Sequence, residues 1–210
     1  MTEGATWRNF QPLGGNGRAG LRYLAWLRIA APLVLLVGAT APTHRYALEE
    51  AGSNVRAKVS FFGLASKTAQ FPRISGRIAL TPDALDTIDL DVTMDARALV
   101  SSDTVTTGRL KGPKFFDVEH HPTVRFAGRR MVMTGAQTAT VAGEITARGV
   151  TRPAQLAVSF AQPPAHANGR EPITLTARTT IDRREFGMNS YNMIVGRKVT
   201  ITITARMVPG

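Results

Sequence analysis

One short stretch, Leu110–Phe126 (LKGPKFFDVEHHPTVRF), brings together Asp117, Glu119, His120 and His121, side chains that can move a proton or ligate a metal. The adjacent histidines are the first metal candidates. Neighbouring residues on an extended chain point to opposite sides, so the two rings do not readily share one ion. His44 and His166 lie in a tail and a loop with no fixed partner in view. Asp89, Asp91 and Asp95 fall on one side of an alternating segment and could attract a hard cation, but calcium loops carry glycine and tighter ligand spacing; a solvated sheet face accounts for them. Asp117 and Glu119, with Arg148, are the residues an enzyme would call on. No G-x-S-x-G elbow, S-x-x-K pair, phosphate-cradling loop, dinucleotide fingerprint or zinc-protease motif accompanies them. With no cysteine in the chain, thiolate catalysis and thiolate metal sites are excluded. The expectation is a protein without catalytic residues, metal or cofactor.

The remaining material is apolar and basic. Phe61, Phe62, Leu64, Phe115, Phe116, Phe126, Phe186, Met188 and Tyr191 crowd near turns as well as within strands. They suit either a solid core or the wall of an oily cavity. In the second case Arg109 and Lys111, with Lys114, would frame its mouth and meet a headgroup.

Strands must position these side chains. Asn54–Phe62, Ile74–Leu80, Ile88–Asp95, Thr123–Thr134, Ala139–Ala147, Ala154–Phe160, Ile173–Ile181 and Lys198–Val208 alternate apolar and polar residues, the period of a half-buried strand. Ser102-Asp103 can cap one short helix to about Lys111, stopped by Gly112-Pro113. Pro122 forces His121 into an extended shape and starts the next strand. About eight strands, one short helix and no βαβ rhythm predict an all-β fold, an eight-stranded antiparallel barrel closed to remove its edges. An eight-stranded barrel is wide enough inside for side chains or one slender ligand.

Residues 1–41 form a separate unit. A polar, glycine-rich beginning leads to Arg22 and Arg28, then to the apolar run Ile29–Val37 and the small-residue end Ala39-Thr40-Ala41. This is the layout of an export signal; an uncleaved anchor in the inner membrane or a core helix are the alternatives. Residues 42–210 form the barrel domain. The net charge is +11, from 26 Lys+Arg against 15 Asp+Glu. The basic residues are spread over many strands, with no basic helix or stacking platform, so nucleic acid is not the expected partner.

Five blocks in this order resemble one family. They are Val59-Ser60-Phe61-Phe62-Gly63-Leu64, Ile74-Ser75-Gly76-Arg77-Ile78, Phe115-Phe116-Asp117-Val118-Glu119-His120-His121-Pro122-Thr123, Ile145–Pro153 (ITARGVTRP) and Thr180–Met188 (TIDRREFGM). Together they resemble the YceI-like proteins, described as polyisoprenoid-binding and lipocalin-like. The resemblance implies a lipocalin-like eight-stranded barrel with a short helix. It also implies a long apolar pocket for an isoprenoid quinone or similar lipid, and export to the periplasm or beyond. His120 and His121 fall at variable positions of the third block.

The expected function is therefore non-enzymatic: binding, transport or sequestration of an isoprenoid-chain amphiphile. Transient membrane contact and a homodimer are compatible with it. An exported stress-response or structural barrel with a filled interior is the alternative.

Overall fold

The computed structural model describes residues 41–210. The segment read as tail and export signal lies, but for Ala41, outside the described residues.

Eleven strand segments form one sheet that closes on itself. β1 (His44–Leu48) and β2 (Asn54–Phe61) both run antiparallel to β11 (Val195–Pro209), with Leu48 opposite Met207 and Asn54 opposite Thr204. They are one strand interrupted at residues 49–53, where Glu49 N donates to Arg206 O at 2.9 Å. β3 (Ala65–Phe71) and β4 (Ile74–Leu80) are likewise one strand, broken at Pro72, which has no N–H to give a ladder. β5 (Thr87–Asp95), β7 (Thr123–Met133), β8 (Thr138–Ala147), β9 (Val150–Phe160) and β10 (Ile173–Asp182) complete an antiparallel meander back to β11. Counting the interrupted pairs once each, the ring is a closed eight-stranded barrel with one helix.

The two-residue β6 (Val100–Ser101) lies on the edge of β3, and α1 (Thr104–Lys111) follows it. Asp103 caps α1 by accepting from Thr106 N at 2.7 Å, and Gly112 ends it. Capping satisfies donors that the first turn leaves unpaired.

Alternation along the strands decides inside from outside. On β5, Ile88, Leu90, Val92 and Met94 face the lumen. The acids of its outer face pair across the ladder: Asp91 with Arg125 at 2.6 Å, and Asp89 with Arg129. The Arg125 guanidinium holds the Asp91 carboxyl below its usual range. The aspartate row is thus an ion-paired outer face.

The two ends of the barrel differ. At the lower end, Gly169 N donates to Tyr46 Oη at 3.1 Å, pinning the 161–172 loop to β1, and Tyr46 and Pro164 are fully buried there. The upper end gathers the β2–β3 turn, the 96–122 segment, the Arg148-Gly149 turn and the 183–194 segment. Leu110–Phe126 and four of the five family-like blocks reach that end.

Candidate functional site

The lumen holds an inner chamber of about 140 Å³. Its wall includes Ile78, Leu90, Phe126, Ile145, Leu156 and Ile203. Of all its lining side chains, only Thr179 and Arg183 carry polar atoms. An apolar cavity of about 150 Å³ stays dry and admits a benzene-sized guest, so this space suits hydrocarbon and not water.

An outer chamber of about 360 Å³ lies above it, between β2–β3, α1 and the 188–195 segment. That is within the usual range of about 300–1,000 Å³ for ligand pockets. Its rim carries Lys67, Asp103 and Arg109 among apolar groups such as Phe61, Val105 and Leu110. Ala57, Phe116, Arg183, Met188 and Val199 line both chambers, and we call this shared wall the waist.

The waist is built by two turns. Asp182 Oδ1 accepts from Arg184 N at 3.1 Å and starts the single helical turn Arg183–Phe186; Gly187, at φ 75°, ends it in the left-handed region that favours glycine. This drives Phe186 and Met188 into the lumen, at 1% and 6% exposure. Arg183 is buried with them. Its Nε donates to Gly196 O at 2.9 Å, Nη1 to Met188 O and to Ser190 O at 2.9 Å, and Nη2 to Asn192 Oδ1 at 3.0 Å and Val195 O at 2.9 Å. All five guanidinium N–H groups are used. Burial, then the Arg184 charge, pushes the Arg183 pKa down, while Asp182 opposes them. Arg183 therefore orders the mouth loop and has no donor left for a ligand.

The second turn is the Leu110–Phe126 stretch. Phe115 stacks on Tyr191 with ring centroids 6.0 Å apart, and Phe116 meets Phe71 edge-on at 5.6 Å. Asp117 sits at φ 50° and pairs with His120, Oδ1 to Nδ1 at 3.0 Å. That contact lowers the Asp117 pKa and raises that of His120. The His121 ring lies instead against Gly149. Arg148 donates to Pro113 O at 2.8 Å and to Gly187 O, tying the two turns together. Asp117, Glu119, His120 and Arg148 line neither chamber. Among the described residues no group of three His, Cys, Asp or Glu side chains is placed to hold a metal ion.

The residues expected at a ligand site separate into three places. Phe126 and Phe186 line the inner chamber, Phe116 and Met188 the waist, and Phe61, Phe115, Tyr191 and Arg109 the outer chamber. Phe62 and Leu64 line neither: they stand on the β2–β3 turn at 62% and 99% exposure. The turn breaks strand alternation after Phe61, because Phe62 and Gly63 both take positive φ. Lys111, on the last turn of α1, also lines neither chamber, whereas Lys114 Nζ lies 5.5 Å from the centre of the Tyr191 ring. Sequence reasoning passed over Arg183 and Thr179. The pattern T-I-D-R-R-E-F offers no sign that the first arginine is buried and the second exposed.

A family model for the YceI-like domain matches residues 46–207. The chain belongs to the YceI-like family. A UPF0312 protein of Pseudomonas putida (strain F1) is 24% identical over 162 residues, 76% of this chain and 84% of that one. A UPF0312 protein of Ectopseudomonas mendocina is 26% identical over 135 residues, covering 62% and 71%. Among solved structures, Burkholderia cenocepacia BcnA superposes with a TM-score of 0.68 at 19% identity, over 76% of this chain and 98% of that one. A polyisoprenoid binding domain from Saccharophagus degradans, implicated in plant cell wall breakdown, gives 0.61 at 12% identity, over 79% and 98%. The YceI-like barrel is thus shared with solved structures at 12–19% identity.

Proposed function

We propose that this YceI-like protein is a non-enzymatic carrier or scavenger of an isoprenoid-chain amphiphile, working in the periplasm or outside the cell. One observation carries the reading: an inner chamber walled by hydrocarbon adjoins, across Ala57, Phe116, Arg183, Met188 and Val199, a larger chamber with cations on its rim. The arrangement suits a molecule with an oily tail and a polar head. The polyisoprenoid-binding name of the Saccharophagus degradans domain supports the same class of cargo.

Removing the tail from water is the driving force, at about 0.8 kcal/mol per CH₂. A tail segment of roughly six carbons, about the benzene-sized guest that the inner chamber admits, gives about 5 kcal/mol gross, from which association and ordering costs subtract much. Affinity then comes from the tail, and Arg109 with Lys67 at the rim discriminates among headgroups.

Native mass spectrometry of protein purified from a lipid-containing host is the test. A bound mass matching a prenyl-chain lipid is expected, removable by organic extraction and restored by adding a prenyl quinone. Protein that is empty as isolated and takes up no prenyl quinone would refute the reading. That outcome would favour a packed barrel without cargo, which the small inner chamber and the many buried side chains around it also suit.

A further inference from the structure

Among the described residues seven large apolar side chains are exposed, and five of them, Phe62, Leu64, Val105, Tyr191 and Met193, stand around the one mouth. Phe62 and Leu64 are the tip of the β2–β3 turn; Met193, 99% exposed, is the tip of the loop after Arg183–Phe186. The two tips are joined, because Phe62 N donates to Ile194 O at 2.8 Å. Phe62 and Tyr191 both adopt positive φ, 51° and 57°. Side chains with a Cβ avoid that conformation unless the surroundings enforce it. Here it belongs to two aromatic residues at the rim, Phe62 on the β2–β3 turn and Tyr191 in the loop before β11.

Cations accompany these tips. Arg109, Lys111 and Lys114 have no salt-bridge partner among the described residues, and Lys114 sits over the Tyr191 ring. The nearby acids are partly engaged: Asp103 with Lys67 and the start of α1, Asp117 with His120, leaving Glu119 and Glu185 exposed. Exposed apolar patches of this kind mark interaction surfaces. Apolar tips inside a collar of unpaired cations fit the boundary between acyl chains and anionic headgroups.

We infer that Phe62, Leu64 and Met193 seat the barrel mouth on an anionic lipid bilayer, so that cargo passes between membrane and lumen without crossing water. The inference rests on the carrier reading above and adds the surface and the partner to it.

The chain has no cysteine, so single substitutions give unique labelling sites. Leu64→Cys, Met193→Cys and, far from the mouth on β7, Val132→Cys are each made in the full chain and labelled with a polarity-sensitive dye. Vesicles of phosphatidylglycerol and phosphatidylcholine are added, with pure phosphatidylcholine as comparison. Dye at Leu64→Cys and Met193→Cys shifts to the blue with the anionic vesicles, less at high salt, while dye at Val132→Cys does not move. Docking is overturned by equal shifts at all three sites, or by none at the first two. It is also overturned by a shift that grows with protein concentration in the absence of vesicles, which would make the occupant a second copy. Native mass spectrometry on the same samples separates the two ideas: retained prenyl cargo with no vesicle shift sinks docking and leaves the carrier standing.

Discussion

Arg183 Nη2 donates to Asn192 Oδ1 across 3.0 Å, inside a cage otherwise made of backbone carbonyls from the same loop and the start of β11. Replacing Arg183 by Met leaves those carbonyls buried without donors, each costing about 1–3 kcal/mol unless water reaches it. The expected result for Arg183→Met is a loss of roughly 3 kcal/mol or more in chemical denaturation. Amides of residues 188–196 should also exchange faster than the rest of the barrel. Asn192→Ala removes one acceptor at the exposed side of the cage and should cost about 1 kcal/mol. Equal protection of those amides in wild type and Arg183→Met would show that the loop holds itself.

Acid should loosen the mouth through Asp103. Its carboxyl lies well below the usual carboxylate range because it accepts first from Thr106 N, then from Lys67, then from the Thr106 hydroxyl. A depressed pKa contributes stability above the unfolded value of about 3.9, and that contribution is lost as pH falls through the folded value. Other carboxylates, Asp91, Asp95, Asp117 and Asp182, are lowered as well, so the whole barrel weakens in acid. Comparison with Asp103→Asn isolates the one group. Asn still caps a helix but cannot titrate. Thermal midpoints of the two proteins should differ most near neutrality and converge as pH drops below about 3. A constant gap from pH 7 to pH 2 would remove Asp103 from the account.

Occupancy should follow the waist. Ala57 is half-buried and lines both chambers; Ala57→Trp places a large ring where the two adjoin. Binding of a long prenyl quinone should fall at least about tenfold, while a short-tailed analogue that fits the outer chamber keeps its affinity, read by fluorescence displacement. Phe126→Ala acts differently. Phe126 is 6% exposed in the inner wall, so truncation should cost about 3–5 kcal/mol if packing surrounds it. A cost well below that, with weaker lipid binding, would identify Phe126 as cavity wall.

Most of the barrel was legible because its strands are two-sided. Ile88–Asp95 and Lys198–Val208 alternate strictly, and each faces the apolar lumen on one side and water on the other. β1 and β3 were not. β1 has five residues, and β3 carries small or polar residues until Phe71, so neither contains enough apolar period to read. Their strand character comes from β11 and β2 alongside them, a long-range effect that no local pattern records. The helix was legible because Asp103 and Gly112 act locally. The mouth was only half legible. Loop aromatics suggested a mouth, but the exposure of Phe62 and Leu64 depends on how the β2–β3 turn folds, and which arginine is buried depends on carbonyls contributed by residues 188–196.

Gly128 and Gly143 face each other across β7 and β8, and this pair went unread because a glycine within a strand looks like a weak point. The structure gives a reason for it. A Cβ at Gly143 would fall on the Ala127 carbonyl and within 2.7 Å of the Phe126 ring; one at Gly128 would come within 2.9 Å of Val141. The ladder also shifts register between Gly128 and Arg130. The two glycines let β7 and β8 coil closely while Phe126 turns into the lumen, a bend that closure of a barrel requires. At Gly143 the obstacle is backbone, which cannot rotate away as a side chain end can. Gly143→Ala should therefore destabilise by more than the roughly 1–3 kcal/mol typical of overpacking, and Gly128→Ala by less, since Val141 has room to adjust by rotamer. Equilibrium urea unfolding of both variants checks the order. If Gly143→Ala unfolds at the wild-type midpoint, the close approach of these strands is not what holds the ring shut.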